Sequence, residues 1–257
     1  AQEVDLSGQV RPRWESRDAI DLDGDGDGST SMRTRIGLAA SVAPRLRAFA
    51  QIQDVRVWGE ETNTLADFSA DRFDLHQAWI ELGRDDAPML RVGRQEARYG
   101  SERLVGAVDW AQQGRAFDGV RARVPLRDLR LDAFAFQIAD ASTPTHADDA
   151  SLVGVFVTMP IARGAIDATG LWNRAAATGQ GTAAARWVAT GRVFVRMEGA
   201  LQFGERAGRD VSAHLFSAEA GVRLVDGVSV SALYERLSGD ADPFDDTVRV
   251  FDTLFAT

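Results

Sequence analysis

The chain has 257 residues, 45% hydrophobic and 26% charged, with no cysteine and a formal charge of −9. This composition excludes a disordered chain, and the acidic balance argues against nucleic acid as a partner, since nucleic-acid binders carry basic surfaces. No run of about eighteen apolar residues occurs, which excludes a spanning helix and leaves a membrane barrel open.

The opening AQEVDL, without a basic and apolar leader, fits the mature form of an exported protein. Period-two alternation predicts strands over 4–14 and 31–42. In the second, MRTRIGL sets Met32, Thr34, Ile36 and Leu38 on one face and Arg33, Arg35 and Gly37 on the other. In a soluble sandwich the apolar face meets the core. In a membrane barrel it meets lipid, and the arginines line a wet lumen. Further strands are predicted over 45–57, 73–83, 89–95, 117–124, 129–139, 150–158, 165–174, 184–190, 194–204, 212–224 and 228–237.

The links between these segments sort into two kinds. Short ones fall at 43–44, 84–88, 125–128, 160–164, 191–193 and 225–227. Longer polar ones fall at 15–30, 58–72, 96–116, 140–149, 175–183 and 205–211, and the two kinds alternate. Greek-key sandwiches have no reason to alternate in this way, whereas outer-membrane barrels do, with tight periplasmic turns and long outside loops. The chain is therefore expected to be all-β, a single antiparallel up-and-down transmembrane β-barrel domain over 1–257.

The faces fit. Ala48, Ala50, Ile80, Leu82, Val120, Val153, Val155, Leu201, Phe203, Val230 and Tyr234 point outward in this reading, toward outer-membrane lipid. The opposite faces carry Arg33, Arg35, Arg91, Arg121 and Arg123 among more arginines than acids, the acids including Glu81, Asp132, Asp167, Glu198 and Glu235. The strand 129–139 is apolar on both faces and takes no orientation from its pattern. Every basic residue other than histidine is arginine, a planar fork suited to gripping carboxylates at two points. A cationic lumen favours anions, so the expected partner is a small anionic solute or another negatively charged one.

Several motifs are weaker. The run DLDGDGDGSTS spaces Asp23, Asp25 and Asp27 as a calcium loop would, but its twelfth position is Thr34 instead of glutamate. Calcium bound by these three is therefore a minor reading beside a solvated loop, and no other metal or cofactor is expected. His76, His146 and His214 lack ligand spacing, and neither HExxH nor GxSxG occurs, so no enzyme is expected.

The segment LRVGRQEARYGSERLVGAVDWAQQGRAFDGVRARV at 90–124 resembles the alginate-export family of outer-membrane proteins. The resemblance rests on Gly93-Arg94-Gln95, Tyr99-Gly100, Arg103-Leu104, Asp109-Trp110, Gly114-Arg115 and Phe117-Asp118-Gly119-Val120. The strand around Arg33-Thr34-Arg35 and the terminal FDTLFAT are also similar. The resemblance implies a monomeric barrel of about eighteen strands that passes an anionic uronate polysaccharide out of the cell, supplied by periplasmic export machinery. It implies Arg94, Arg103 and Arg115 as constriction residues. Alternatively the arginines of loop 96–116 fasten it to the wall through Glu102 or Asp109. At the usual strand-plus-link length the chain supplies only about thirteen or fourteen strands, so it is expected to be a portion of a larger barrel lacking C-terminal strands, or a smaller closed one. Two other readings stand beside the channel: a soluble β-rich carbohydrate-binding or lyase domain, and a nonselective porin.

Overall fold

The computed structural model describes residues 3–17, 27–58, 73–84, 87–139, 149–242 and 244–257. The alternating segments form one antiparallel meander, and no helix occurs among the described residues. Its strands are β1 (Glu3–Arg17), β2 (Asp27–Ala43), β3 (Leu46–Val57), β4 (Asp74–Gly83), β5 (Met89–Gln95), β6 (Phe117–Leu126) and β7 (Leu129–Ala139). They continue as β8 (Ala150–Ile161), β9 (Gly164–Ala175), β10 (Thr178–Ala189), β11 (Val193–Arg206), β12 (Arg209–Val225) and β13 (Val228–Leu237). Each pairs with its neighbour in chain order, and β1 and β13 are the two edges of a sheet that is not closed among the described residues. A short β14 (Thr247–Val248) pairs in parallel with β12.

Because every hairpin reverses direction, successive links fall at alternate ends. The links at 44–45, 84–88, 127–128, 162–163, 190–192 and 226–227 share one end, and loop 96–116 leaves from the other. That is the phase expected from the short and long links. Two of the long links are not long. The connections expected at 175–183 and 205–211 shrink to the pairs 176–177 and 207–208, because β10 and β12 begin earlier than predicted. The glycine-rich TGQGT at 178–182 has turn-like composition but is strand: Gln180 and Thr182 are buried on the inner face, while Gly181 leaves room for Phe203, whose ring would lie 2.4 Å from an added Cβ.

The outward face is a continuous apolar belt. One register row runs Val4, Ala40, Ala48, Ile80, Val92, Val120, Ala135, Val153, Trp172, Gly181 and Phe203, from β1 to β11. Its larger side chains are exposed, Ile80 at 58% and Phe203 at 51%. Such a belt is unstable in water and matches the lipid-facing band of a membrane barrel, so the soluble-domain reading fails on this face. Trp14, Trp172 and Trp187 stand outward with it, whereas Trp79 lies on the inner wall against Phe49 and Arg91.

The core lies inside the sheet, where loop 96–116 and the segment 249–257 fold back against the wall. Phe134 and Phe136 of β7 point inward at 4% and 1% exposure, which settles the orientation of that strand. Phe136 stacks between Phe134 and Phe117 at centroid distances of 4.8 and 5.0 Å, and Tyr99 of the loop stacks on Phe134 at 4.8 Å. Burying each such ring stabilises the packing by about 1.5–3 kcal/mol.

Candidate functional site: an inner wall and an inward-folded loop

Loop 96–116 enters the interior because the wall offers it both apolar and charged seats. Ala97, Tyr99, Leu104 and Val105 join the aromatic core. The chain terminus meets the loop there: Phe255 donates its N–H to Leu104 O at 3.0 Å, and Gly106 donates to Phe255 O at 2.9 Å. Glu102 accepts from Ala107 N–H at 3.2 Å and from the Thr257 hydroxyl at 3.0 Å. Val108, a β-branched residue at φ 51°, sits in the left-handed region, a strain on the order of 1–3 kcal/mol. Its N–H donates to Thr257 Oγ1 at 3.1 Å, and its carbonyl accepts from Ala111, so both of its backbone groups are held.

Arg33 and Arg35 face inward as their alternation predicts, but they meet the loop and not open water. Arg33 is fully buried; its guanidinium reaches Asp109 Oδ1 at 3.0 Å, donates to the Ala111 and Gln112 carbonyls, and grips Gln9 Oε1 at 2.7 Å. Arg35 donates to Gln53 at 2.6 Å and to the Gln113 carbonyl, and pairs with Glu96 at 3.3 Å and Asp109 at 3.5 Å. Arg11 adds hydrogen bonds to the Asp109 and Ala111 carbonyls. Asp109 thus fastens the loop, with its cations coming from the wall.

At the loop root, Glu96 takes His76 at 2.8 Å and Arg98 at 2.9 Å. Burial pushes its carboxyl upward, but the hydrogen bonds from His76 and Arg98 win and bring it down to about 2. Burial raises the Tyr99 phenol to about 12, and burial lowers Arg115.

The other candidate arginines divide between the patch and the loop. Arg91 donates to Glu81 Oε2 at 2.9 Å and lies 3.8 Å over the Trp79 ring, and Arg47 reaches the same carboxylate at 3.5 Å. Arg121, Arg123 and Arg130 share Asp132 at 2.8, 3.1 and 3.5 Å. Cross-strand register sets Arg47 beside Glu81, Glu81 beside Arg91 and Arg91 beside Arg121, so these groups form one patch on β3–β7. Each carboxylate of this patch is shared by two or three guanidiniums. Arg103, on the loop, reaches across to Glu198 of β11 at 3.5 Å and Glu235 of β13 at 2.5 Å. Arg115 lies against the terminal segment, with its guanidinium 5.7 Å from the Phe255 ring and bonded to Ala256 O at 3.2 Å.

Arg94 departs from the expectation. It pairs in register with Ala78 and Asp118, on the same side as Val92, so it stands on the outward side of β5. There it binds Asp118 at 2.8 Å and lies 3.8 Å from Asp74, and it lines a rim cleft with Gln53, His76, Gln113 and Gly114. Its inward neighbours are Gly93 and the buried Gln95. Gly93 is at φ +125°, where an added Cβ would stand 2.2 Å from Ala78 O, and this leaves the inward aim to Gln95. Asp23 and Asp25 lie outside the described residues, as does the side chain of Asp27. Among the described residues no cluster of acids or histidines is arranged to hold a metal ion.

Sequence reasoning missed the terminal segment's packing against the loop, and missed Gln9 and Gln77, which join Gln51 and Gln53 on the inner face of β1–β4. Their shared inward parity was the available signal.

A sequence profile of the alginate export family matches residues 2–257. No functionally curated protein is similar enough to match. Among solved structures, the sheet is similar to a BenF-like porin from Pseudomonas fluorescens, with TM-score 0.68 at 10% identity, over 93% of this chain and 68% of that one. OccK2 (OpdF) of Pseudomonas aeruginosa gives TM-score 0.66 at 12% identity, over 93% and 65%. OpdK of Pseudomonas aeruginosa, solved with vanillate, gives 0.58 at 11% identity, over 92% and 68%. The chain thus spans about two thirds of the length of these structures.

Proposed function

The chain belongs to the alginate export family of the bacterial outer membrane, and from that premise we propose that its channel conducts an alginate-like uronate polysaccharide or a small anionic solute. The observation that carries the anion reading is the β3–β7 patch, in which Glu81 and Asp132 are each shared among several guanidiniums. A wall of low dielectric focuses the field of such a patch on a passing ion and lowers the entry barrier for negative charge. The vanillate in OpdK is a carboxylate, the class of small solute that such a wall would admit.

The reading takes the pore as monomeric and a periplasmic export machinery as the source of the polymer. A nonselective porin is the second reading, favoured by the acids Glu198 and Glu235 that Arg103 meets on the far strands. Reversal potentials of the protein in planar bilayers separate the two. Anion preference at about 0.1 M salt should fade toward 1 M, as the Debye length falls from about 10 to about 3 Å. The double variant Arg91→Ala, Arg121→Ala should weaken it, and a cation-selective wild type at low salt sinks the reading.

A further inference from the structure

A cleft of about 250 Å³ lies between the root of loop 96–116 and the inner wall of β1–β4, lined by Gln9, Arg35, Gln51, Gln77, Arg98 and Asp109 among others. Its chemistry differs from that of the β3–β7 patch. The charges balance: Arg35 meets Glu96 and Asp109, and Arg98 meets Glu96 and Glu102. Amides supply most of the remaining polar surface. Gln77 donates to Gln51 Oε1 at 3.3 Å and accepts the Glu96 N–H at 3.2 Å, while Gln9 accepts from Arg33. This aims the amide groups of three strands, and the half-exposed Asp109 and Arg98, into one space.

A site for a bare anion needs excess positive charge and few acceptors. This cleft has no such excess, and it combines donors with acceptors at several angles. That is what a ring bearing hydroxyls requires, because each hydroxyl both donates and accepts. Arg98, at 40% exposure the more open of its two cations, is the one able to share its fork between Glu96 and an incoming carboxylate. We propose that this cleft is a subsite that reads the hydroxyl groups of a single sugar-acid ring, so that the channel distinguishes polyhydroxylated carboxylates from plain ones. The inference rests on the anion-channel reading and adds to it a source of discrimination that the arginine patch lacks. The cleft's size suits one pyranose ring, so a polymer would present its residues to it one at a time.

The test compares two carboxylates of equal charge and ring size in planar bilayers: glucuronate, and cyclohexanecarboxylate, which has no hydroxyls. Wild-type protein should be blocked by glucuronate at about tenfold lower concentration, the scale of one to two net hydrogen bonds. In Gln51→Leu that ratio should fall toward one, while block by cyclohexanecarboxylate stays put. Among the described residues the Gln51 side chain bonds to Gln77 and to no residue of the loop, so this variant leaves the loop's own fastenings in place. The double variant Gln51→Leu, Gln77→Leu should remove the remainder. Arg98→Ala should weaken block by both solutes together. A wild-type ratio of one in an anion-selective pore overturns the subsite alone, as does a Gln51→Leu pore that keeps the full ratio. A pore that excludes both carboxylates overturns the channel reading, and the subsite with it.

Discussion

Replacing Arg33 with methionine keeps its volume and apolar stem but deletes the fork that seats loop 96–116. The loop-directed part of that fork is one contact from each terminal nitrogen: Nη2 meets the Asp109 carboxylate at 3.0 Å, and Nη1 is shared between the Ala111 and Gln112 carbonyls at 3.3 and 3.4 Å. Hydrogen bonds with a charged partner contribute about 1.5–3 kcal/mol each, so the pair is worth about 3–6 kcal/mol at most. Asp109 is 44% exposed and regains water when the loop lifts, which discounts the figure to about 2–4 kcal/mol. At about 1.4 kcal/mol per decade, the seated-to-lifted ratio should fall by about 30- to 1,000-fold. Two readouts follow the lifted population. Trypsin should cut at Arg98, Arg103 or Arg115 faster in that proportion while closing outpaces cleavage, and single channels should flicker to a larger conductance. Arg196→Met is the control, since Arg196 pairs with Glu219 and lies over Phe194, its fork bound within the wall and not to the loop. If Arg33→Met changed cleavage and conductance no more than Arg196→Met does, the loop would not be held by this arginine.

Three further outcomes are expected. Glu96 titrates near 2 when the loop is seated against 4.5 otherwise, so its contribution, at most on the order of 3 kcal/mol before solvent screening, is complete above about pH 4.5 and lost as pH falls toward 2; protection of the loop amides, taken relative to the intrinsic exchange rate at each pH, should fall over that window, and Glu96→Gln should flatten that fall. Phe136→Ala, at the centre of the stacked rings, should cost about 3–5 kcal/mol in urea unfolding followed by gel mobility, against less than about 1 kcal/mol for the exposed Phe244→Ala. The buried Tyr99 hydroxyl has no hydrogen-bond partner among the described residues, so Tyr99→Phe should leave urea stability unchanged or raise it, whereas a loss above about 1 kcal/mol would reveal a bond to the phenol.

The strands were legible because a wall with lipid on one side leaves a period-two trace in every segment that spans it. Where that constraint weakens, so did the reading. TGQGT has too little hydrophobic contrast, and its strand character comes from Gln180 and Thr182 packing inside while Gly181 yields space to Phe203. The strand 129–139 resisted orientation because its inner face serves a core and its outer face serves lipid, and both demand apolar groups. The site was less legible than the wall. Arg33 and Arg35 have the right parity, but parity says nothing about a loop from eighty residues away covering them. Arg94 takes an outward register for a local reason: Gly93 and Gln95 occupy the inward positions of β5.

Counting arginines therefore overstates the field in the lumen. Those of β2 are buried against Asp109 and Glu96 and act on the loop, while the β3–β7 patch keeps several guanidiniums around each carboxylate. Acids recur on the later strands, where Asp167 holds Arg186, and Glu198 and Glu235 take Arg103. An excess of cations on β3–β7, against a nearer balance on the later strands where Arg186 and Arg196 answer Asp167 and Glu219, would set a field across the lumen as well as along it. A small ion with no orientation feels mainly the net charge. A ring with its carboxylate on one side and hydroxyls on the other also feels the gradient, which turns its charged edge toward β3–β7. Orientation of this kind lowers the entropy lost on entering the glutamine-lined cleft, so patch and cleft should act non-additively. Arg121→Ala combined with Gln51→Leu should cost less selectivity for glucuronate than the sum of the two changes, because each removes part of what makes the other effective.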